Sequence, residues 1–551
     1  MDRRSFLVGS GALAAGLTLD GRLPAFAQLA PRAFLDARTD DVGETLQADI
    51  CIIGAGAAGI TLARELSKTV QDVLLIESGA LDIEGETQSL FSGRNIGLAY
   101  HDLLACRLRY FGGTTNHWSG FCRANDPIDY EERPEAGLPG WPIRHSDLEP
   151  FVARAADSLG IRSEFFEPHA LLQQAGLGSE GLIDDHSSRL QTKVFQIATD
   201  IRLGPANRET LEQSENLRVV LNLNAVHLQL AQNGMTLENV DCATTNGKRV
   251  RINARQFILA CHSIETARLL LVSNDVATTG IGNGSDHVGR YFMDHIYVKA
   301  SRFIPDASFP RTYSFDFSRK HGINANLGFS DEVIREIGIP QYYCRFWPVY
   351  AEPEVARAVE ELRADFWRPG GERYLRDLAT ALLNPVGSAE HAASLYIDHL
   401  PPYFELDHRL EQTPNPNSRV VISDRRDSLG SLSADLDWEL SEPDYRGLAL
   451  GQEEIAKELT KLGYGTFELE TITPELVRER ALGHFHHIGT ARMSATPEGG
   501  VVDRDCKVHG VDNLYICGSS VFPTAGYSGP TMMIIGLSMR LADHLSNALR
   551  S

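Results

Sequence analysis

Short, continuous apolar runs separated by helical stretches mark the first half of the chain. Residues 48–53 and 73–76 have the character of buried strands, and a helical stretch at 60–66 lies between them. Residues 219–226 and 249–259 are also strand-like, and the second of these leads directly into another helical stretch. Buried apolar strands that alternate with helices predict an α/β fold.

The turn between the first strand and the first helix has the sequence Gly-Ala-Gly-Ala-Ala-Gly. Gly54 permits a tight turn, Gly56 allows a pyrophosphate to approach the backbone, and Gly59 lets helix and strand pack closely. Ala57 belongs to the start of the helix, where free N–H groups can bind phosphates. Glu77 ends the second strand and can accept hydrogen bonds from a ribose diol. These residues predict a dinucleotide site, which by itself suits FAD or NAD.

The beginning of the chain has the pattern of an export signal. Arg3 and Arg4 form a twin-arginine pair, an apolar run follows, and residues 25–27 offer an A-x-A cleavage site. The apolar run is short for a bilayer span, and no later segment approaches one. We expect a signal peptide at 1–27, twin-arginine export to the periplasm or the medium, and a linker at 28–46.

The charge balance of the chain narrows the classes of partner. The 551 residues include 52 basic and 73 acidic ones, a net charge of −21, and such a surface repels nucleic-acid phosphates. The eight cysteines are scattered, without a C-x-x-C pair or a haem-attachment motif. We therefore expect no nucleic-acid partner, no bound metal and no covalent haem.

Three further blocks accompany the glycine-rich turn. They are residues 109–120, with a Gly-Gly-x-x-x-His-Trp pattern, residues 288–295, and a C-terminal run over 486–531 that opens with His-His-Ile-Gly-Thr. In order and spacing, the four blocks resemble the glucose–methanol–choline (GMC) oxidoreductases. The Gly-Gly-x-x-x-His-Trp and His-x-x-Gly-Thr patterns are most similar to those of pyranose oxidase and the bacterial fructose and gluconate dehydrogenases. The resemblance covers most of the chain after the signal and implies a bound FAD.

The resemblance also implies a domain organisation. We expect a Rossmann-like FAD-binding domain assembled from discontinuous segments, 47–295 and 476–551, with inserted cap or substrate segments around 126–185. An α+β substrate domain with an antiparallel sheet is expected at 296–475. His117 matches the histidine that carries covalent flavin in some members, and a covalent link and a flavin-packing role both stay open. The implied cofactor contacts in the later blocks are Gly112, Gly113, Asn116, His117, Ser519 and Thr531.

Oxidation of an alcohol by a flavin requires a base for the hydroxyl proton, and histidine titrates in the right range. His486 matches the family's base in the His-x-x-Gly-Thr pattern. In an extended segment His484 shares its face and His487 points away. The second active-site residue of the family, His or Asn, corresponds to Gly529, which has no side chain. His262 stands where the family usually has a small residue, often glycine.

Gly529 leaves more than one function open. The first hypothesis is an FAD-dependent dehydrogenase or oxidase acting on a CH–OH group of a sugar, polyol or glycoside, with a water, Tyr527 or Ser528 in place of the missing side chain. Its electrons would go to a quinone, a cytochrome or a partner subunit rather than to oxygen. The second hypothesis is a GMC-fold flavoprotein with lyase-type chemistry or a structural FAD. The third is a catalytically silent binding protein.

Overall fold

A computed structural model describes residues 34–177, 181–198, 201–364 and 370–550. The predicted signal peptide at 1–27 lies outside the described residues, as does the first part of the predicted linker. In the described ranges no helix combines the length and the apolar character needed to cross a bilayer.

Most strands belong to two sheets, and the bounds of all of them follow in chain order. They are β1 (Phe34–Asp36), β2 (Thr45–Ile53), β3 (Val73–Ile76), β4 (Phe121–Cys122), β5 (Leu190–Ile197), β6 (Leu217–Leu221), β7 (Asn224–Leu230), β8 (Leu237–Ala243), β9 (Arg249–Leu259), β10 (His295–Pro305), β11 (Ile323–Phe329), β12 (Tyr342–Val349), β13 (Tyr403–Glu411), β14 (Arg419–Arg426), β15 (Leu432–Asp437), β16 (Gly465–Glu468) and β17 (Leu514–Ile516).

The helices lie between these strands, and α14 closes the described chain. They are α1 (Ala57–Leu66), α2 (Gly85–Ser89), α3 (His145–Ser158), α4 (Pro168–Gln174), α5 (Leu203–Glu212), α6 (Ser263–Val272), α7 (Phe315–Lys320), α8 (Asp331–Ile337), α9 (Pro353–Ala364), α10 (Gly371–Leu383), α11 (Pro385–Ser394), α12 (Glu442–Lys461), α13 (Pro474–Arg480) and α14 (Thr531–Arg550).

The first sheet is a parallel sheet with a short antiparallel arm. Its order is β1-β6-β3-β2-β9-β8-β7, and β17 pairs in parallel with β9. Strands β1, β6, β3, β2 and β9 run parallel, whereas β8 and β7 join antiparallel. Residues from both ends of the chain therefore build one nucleotide-binding sheet. The predicted α/β class, with its discontinuous Rossmann-like domain, is confirmed.

The second sheet is antiparallel, in the order β16-β10-β13-β12-β11-β5-β4. It is the antiparallel sheet expected of the substrate domain. Strands β4 and β5 come from outside the segment 296–475, and β14 and β15 form a separate two-stranded sheet inside it. In the predicted linker 28–46, β1 pairs with β6 and β2 already begins at Thr45.

The second sheet has one apolar face and one polar face because side chains alternate along each strand. Phe404 and Leu406 are fully buried on the apolar face, against which α12 packs. On the polar face, Arg409 of β13 lies opposite Tyr343 of β12, and Asp407 lies opposite Arg345. This polar face forms one wall of the site described next.

Candidate functional site

A cavity of about 600 Å³ extends from the glycine-rich turn after β2 to the polar face of the second sheet. Of the residues predicted from the sequence to form the site, nine line it. They are Gly54, Gly56, Ala57, Glu77, Gly113, His117, His486, Ser519 and Thr531. The structure therefore brings the glycine turn, the Gly-Gly block and the C-terminal block around one space.

Two glycines of the glycine-rich turn have different roles: Gly56 borders open space, and Gly59 packs closely against the backbone of the turn. A Cβ on Gly59 would overlap the carbonyl oxygen of Gly54, whereas a Cβ on Gly56 would meet nothing within 4 Å. Gly59 thus serves helix packing, and Gly56 keeps the cavity open beside the N-terminus of α1. This is the arrangement that a pyrophosphate requires.

Glu77 is buried at the carboxyl end of β3, where a residue that binds the ribose of a dinucleotide is expected. Its two oxygens accept hydrogen bonds from the backbone N–H groups of Ala55, at 2.7 Å, and Gly79, at 2.9 Å. The Ser78 hydroxyl also donates to Oε1, at 3.1 Å. These bonds fix the carboxylate at the cavity wall, and Oε2, which accepts only from Ala55, keeps a further lone pair for a ribose hydroxyl. The donor set and the space beside it fit an FAD.

The buried cations at this end of the cavity are all paired with one carboxylate. Glu265 lies 3.1 Å from Arg107, 3.4 Å from Arg109 and 2.9 Å from Arg268. Burial alone would raise the pKa of Glu265, but the three guanidinium groups outweigh it and lower that pKa below its usual range. The cluster stays ionised and stabilises the wall beside the nucleotide turn.

Three predicted cofactor residues lie outside the lining. Gly59 packs against Gly54, and Gly112, with φ +94°, has the side chain of Asn116 where a Cβ would stand. Asn116 donates to the carbonyl of Phe111 at 2.8 Å and accepts from the backbone N–H of Gly204 at 3.1 Å. Its amide therefore holds two backbone segments together instead of facing the cavity.

The three C-terminal histidines all line the cavity, on a segment that is not regularly extended because Phe485 has a φ of +63°. The rings of His484 and His486 are stacked with centroids 5.7 Å apart, and both line the cavity. Nδ1 of His487 lies 2.6 Å from Nε2 of His262, which also lines the cavity. Since all three histidines line the cavity, His487 differs from the stacked pair in its contact with His262.

The backbone at His262 explains why the family usually has a small residue there. Its φ is +75°, in the region that favours glycine. A non-glycine residue held in such a conformation costs on the order of 1–3 kcal/mol. Here the side chain also makes compensating contacts, since its Nδ1 accepts the backbone N–H of Ile264 at 3.4 Å and its Nε2 meets His487.

His486 is held by a second histidine that the sequence reading did not select. Nδ1 of His295 lies 2.8 Å from Nδ1 of His486, and Nε2 of His295 lies 3.0 Å from the carbonyl oxygen of Gly526. A carbonyl only accepts, so Nε2 of His295 carries the hydrogen. In the neutral ring Nδ1 of His295 is then an acceptor, and His486 donates to it from its own Nδ1. The free lone pair of His486 is therefore on Nε2.

Both rings are neutral around neutral pH. Burial lowers the pKa of His295 to about 4. Burial, followed by the neighbouring His295 and Arg409, lowers the pKa of His486 well below its ordinary value of 6.5. A neutral His486 with an unprotonated Nε2 has the form that a proton acceptor requires.

Gly529 leaves open space beside that nitrogen. A Cβ built on Gly529 would lie 3.5 Å from Nε2 of His486 and 3.5 Å from the carbonyl oxygen of Phe121. Ser528 does not occupy the gap, because its hydroxyl lies 3.1 Å from Oδ1 of Asn125 and outside the lining. Tyr527 lines the cavity, but its hydroxyl is bonded to Arg123 and Asp126. The position opposite His486 is thus space for a ligand group or a water.

The cluster Asp294, His295 and His486 also offers ligand atoms within 4.8 Å of one another, as a metal site would. Two nitrogens on one tetrahedral zinc would lie about 3.3 Å apart, whereas these ring nitrogens are 2.8 Å apart. Asp294 is occupied by the hydroxyl of Tyr100 and by the backbone N–H groups of His295 and His486. The geometry favours a hydrogen-bonded histidine pair.

Besides His295, the sequence reading missed the strand residues of the polar wall, Tyr343, Arg345 and Arg409. His295 ends the block 288–295, so its position in a motif was an available signal. The arginines lie on strands that carry no motif, and only the register of β12 and β13 brings them to the cavity.

Comparisons with known proteins match both halves of this site. A family model described as GMC oxidoreductase matches residues 414–538, and one described as FAD dependent oxidoreductase matches residues 49–273. The fructose dehydrogenase large subunit of Gluconobacter japonicus is 23% identical over 92% of this chain and 99% of its own length.

Two further relatives agree with these matches. The 2-methyl-1,2-propanediol dehydrogenase of Mycolicibacterium austroafricanum is 22% identical over 91% of this chain and 95% of its own length. The crystal structure of a formate oxidase aligns with a TM-score of 0.54 at 17% identity, covering 92% of this chain and 99% of that one. Because only 17% of the aligned residues are identical, the similarity to the formate oxidase structure shows a shared fold and nothing about activity.

Proposed function

Because the chain belongs to the GMC oxidoreductases, which are FAD-dependent enzymes, we propose that it oxidises a CH–OH group of a sugar, polyol or glycoside, with His486 as the proton acceptor. The observation that carries this proposal is the hydrogen-bond chain from Gly526 through His295 to His486. It leaves a lone pair on Nε2 of His486 beside the open position at Gly529.

Different residues bind the substrate, accept its proton and orient the proton acceptor. The carbinol binds in the space beside Gly529, where Nε2 of His486 takes its hydroxyl proton. Donation from Nδ1 of His486 to His295 fixes the ring orientation. The glycine-rich turn and Glu77 would hold FAD, which when bound would supply the acceptor for the hydride from the same carbon. The relatives named fructose dehydrogenase and 2-methyl-1,2-propanediol dehydrogenase support this class of substrate.

Anaerobic mixing of the purified protein with a panel of sugars, polyols and simple alcohols tests the proposal. Loss of the yellow flavin absorbance with at least one of them is the expected result. If every compound leaves the flavin oxidised, CH–OH oxidation is the wrong function for this site. The structural-FAD, lyase-type and binding-protein hypotheses would then take its place.

For the electron acceptor, we propose a quinone, a cytochrome or a partner subunit rather than oxygen. The relative named as a large subunit supports it, since such a chain has other subunits. After reduction by substrate, a soluble quinone or cytochrome c should reoxidise the flavin faster than air-saturated buffer does. Faster reoxidation by oxygen would make the protein an oxidase.

His117 has an exposed ring in the cavity lining, accessible to a flavin bound there. Acid precipitation separates a covalent link from a packing role. Yellow colour that stays with wild-type protein and is lost from His117→Ala supports the link. Complete release from wild type assigns His117 to packing.

Export by the twin-arginine route is the proposal for residues 1–27. Joint replacement of Arg3 and Arg4 by lysine should keep the protein in the cytoplasm. A mature protein from the natural sequence should begin near Gln28. Unchanged export of the lysine variant would contradict this route.

A further inference from the structure

One buried cation differs from all the others in the described residues. Eight arginine and lysine residues there are buried, and seven of them lie within 4 Å of a carboxylate. The exception is Arg345. The seven paired cations are Arg107, Arg109, Arg123, Arg133, Lys193, Arg268 and Arg409.

Arg345 is held in place by rings and by one amide. Its guanidinium lies over the rings of Phe315, at 4.6 Å, and Phe121, at 5.7 Å, and its Nε–H donates to Oδ1 of Asn326 at 3.3 Å. Its two terminal nitrogens have no hydrogen-bond partner in the parts of the chain that the structure describes. Stacking on aromatic faces leaves the N–H edge of a guanidinium free for a planar anion.

The nearest carboxylate on the same sheet face is already occupied. Asp407 lies opposite Arg345 in the register of β12 and β13, but Arg409 binds it through Nε and Nη2, the latter at 2.6 Å. Burial and the charge of Arg409 lower the pKa of Arg345 to about 10. Asp407 acts on Arg345 only through its longer-range charge, so Arg345 has no carboxylate within 4 Å among the described residues.

The charges of the cavity lining differ between its two ends. Its described acidic residues are Glu77 and Glu265, both at the nucleotide end. Arg345 and Arg409 line the other end, where no acidic residue joins them in the described lining. An anion bound at this end would meet one unpaired cation and no repelling carboxylate in the wall.

The unpaired guanidinium is close to the proposed reaction centre. Arg345 stacks on the ring of Phe121, and the carbonyl of Phe121 is 3.5 Å from where a Cβ of Gly529 would stand. The same point is 3.5 Å from Nε2 of His486. Phe121 therefore contacts Arg345 through its ring and borders the open position beside His486 through its carbonyl, and both Arg345 and His486 line the cavity.

We propose that Arg345 is a specificity-determining residue that binds a carboxylate of the substrate, so that the oxidised compound is a hydroxy acid or a sugar acid. This inference rests on the proposed function. A single free guanidinium matches a monoanion bound by two parallel hydrogen bonds. A phosphate dianion would call for further cations, and Arg409 is already paired with Asp407.

Ligand binding to the FAD-loaded protein tests the inference without turnover. We expect acetate to bind, measured by calorimetry, and the neutral isostere acetamide not to bind. Arg345→Met should weaken acetate binding by roughly 10- to 100-fold, as expected for loss of a charge-assisted bidentate pair. Arg345→Lys, which keeps the charge, should recover part of the affinity.

Lys299→Met is the matched control. Lys299 is a cation on the same sheet face, but it is paired with Glu405 at 2.7 Å and lies outside the lining. Its replacement should leave acetate binding unchanged. An equal loss of affinity in both variants would mean that the net charge of the protein, and not Arg345 itself, determines acetate binding.

Thermal unfolding distinguishes a binding role of Arg345 from a structural one. Arg345→Met should unfold at the same or a higher temperature, because it removes an unpaired buried charge.

Turnover distinguishes failure of this inference from failure of the proposed function. Gluconate, galacturonate and glycerate should reduce the flavin faster than glucose, galactose and glycerol, and Arg345→Met should abolish that preference. Reduction by the neutral compounds alone, with no acetate binding, overturns the inference and leaves CH–OH oxidation standing. Inorganic phosphate that binds more tightly than acetate in an Arg345-dependent way overturns the choice of a carboxylate.

Discussion

Both ends of the cavity contain buried arginines, but those at the nucleotide end are paired with a carboxylate and one at the sheet end is not. At the nucleotide end, Arg107, Arg109 and Arg268 surround Glu265, and the oxygens of Glu77 accept backbone N–H groups. At the sheet end, Arg345 has no carboxylate within 4 Å in the described residues, and Gly529 leaves space beside His486.

The charges at the nucleotide end are satisfied within the chain, whereas the sheet end has a charge that only a bound ligand can pair. Buried charges that are satisfied within the chain stabilise the wall whether or not a ligand is present. A buried charge without a partner costs folding free energy until a ligand offsets it. The unsatisfied groups therefore indicate where the variable chemistry of the substrate is recognised.

The largest effect is expected from alanine at the two glycines of the nucleotide turn. Gly59→Ala places a Cβ on the carbonyl oxygen of Gly54, so we expect loss of bound FAD and a fall in the unfolding temperature of the apoprotein. Gly56→Ala meets no atom of the chain within 4 Å. It should lose FAD while the apoprotein unfolds at the wild-type temperature.

Calorimetric melting of both apoproteins, with FAD content measured by absorbance, checks this pair. If both variants keep their FAD, the turn is not the pyrophosphate site.

At the sheet end, loss of His295 should impair catalysis without loss of FAD. His295→Leu leaves the Nδ1–H of His486 without its acceptor, and that bond matters most once the ring has taken up the substrate proton and is charged. Loss of about 1–3 kcal/mol at that stage corresponds to a rate lower by roughly 5- to 150-fold. His295→Gln, which restores an acceptor oxygen, should recover part of the rate. Anaerobic flavin reduction at a fixed substrate concentration, followed across pH, measures both.

A role of His295 in folding alone would predict a different pattern. The rate per bound FAD would then be equal in wild type and His295→Leu, and only the yield of folded protein would fall.

The smallest effect is expected at His262, which lies between the two ends. His262→Gly relieves the positive φ but removes the bonds to His487 and Ile264, so its free energy of unfolding should stay within about 1 kcal/mol of wild type. His262→Ala loses the same bonds and keeps the strain. It should be less stable than the glycine variant by about 1 kcal/mol. Chemical denaturation of the three proteins would contradict the account if alanine were the more stable.

The nucleotide end of the cavity could be predicted from the sequence, whereas most of the sheet end could not. The nucleotide turn depends on residues 54–59 and on Glu77, a short stretch whose spacing dictates its geometry. The stacking of His484 on His486 agrees with their spacing of two residues, whereas the place of His487 in the lining does not follow from alternation. The turn and the stacked pair need no knowledge of how distant segments pair.

The sheet end depends on pairings that the sequence pattern does not encode. Arg345 reaches the cavity only because β12 pairs with β13, and its lack of a partner depends on Asp407 being bound by Arg409. The three-residue β1 was too short to distinguish from a linker. The positive φ of His262 and the packing role of Asn116 likewise appear only in three dimensions.

The most direct measurement is the anaerobic rate of flavin reduction in His486→Ala against wild type, with the substrate found in the panel. The account predicts a rate lower by ~10²–10⁴-fold, the usual contribution of a general base, with unchanged FAD content. His484→Ala should lose far less. Since the pKa of His486 is well below 6.5, the wild-type rate should be flat above that pH and fall only in more acidic solution, as the ring takes up its proton. A His486→Ala protein that reduces its flavin as fast as wild type would contradict the account.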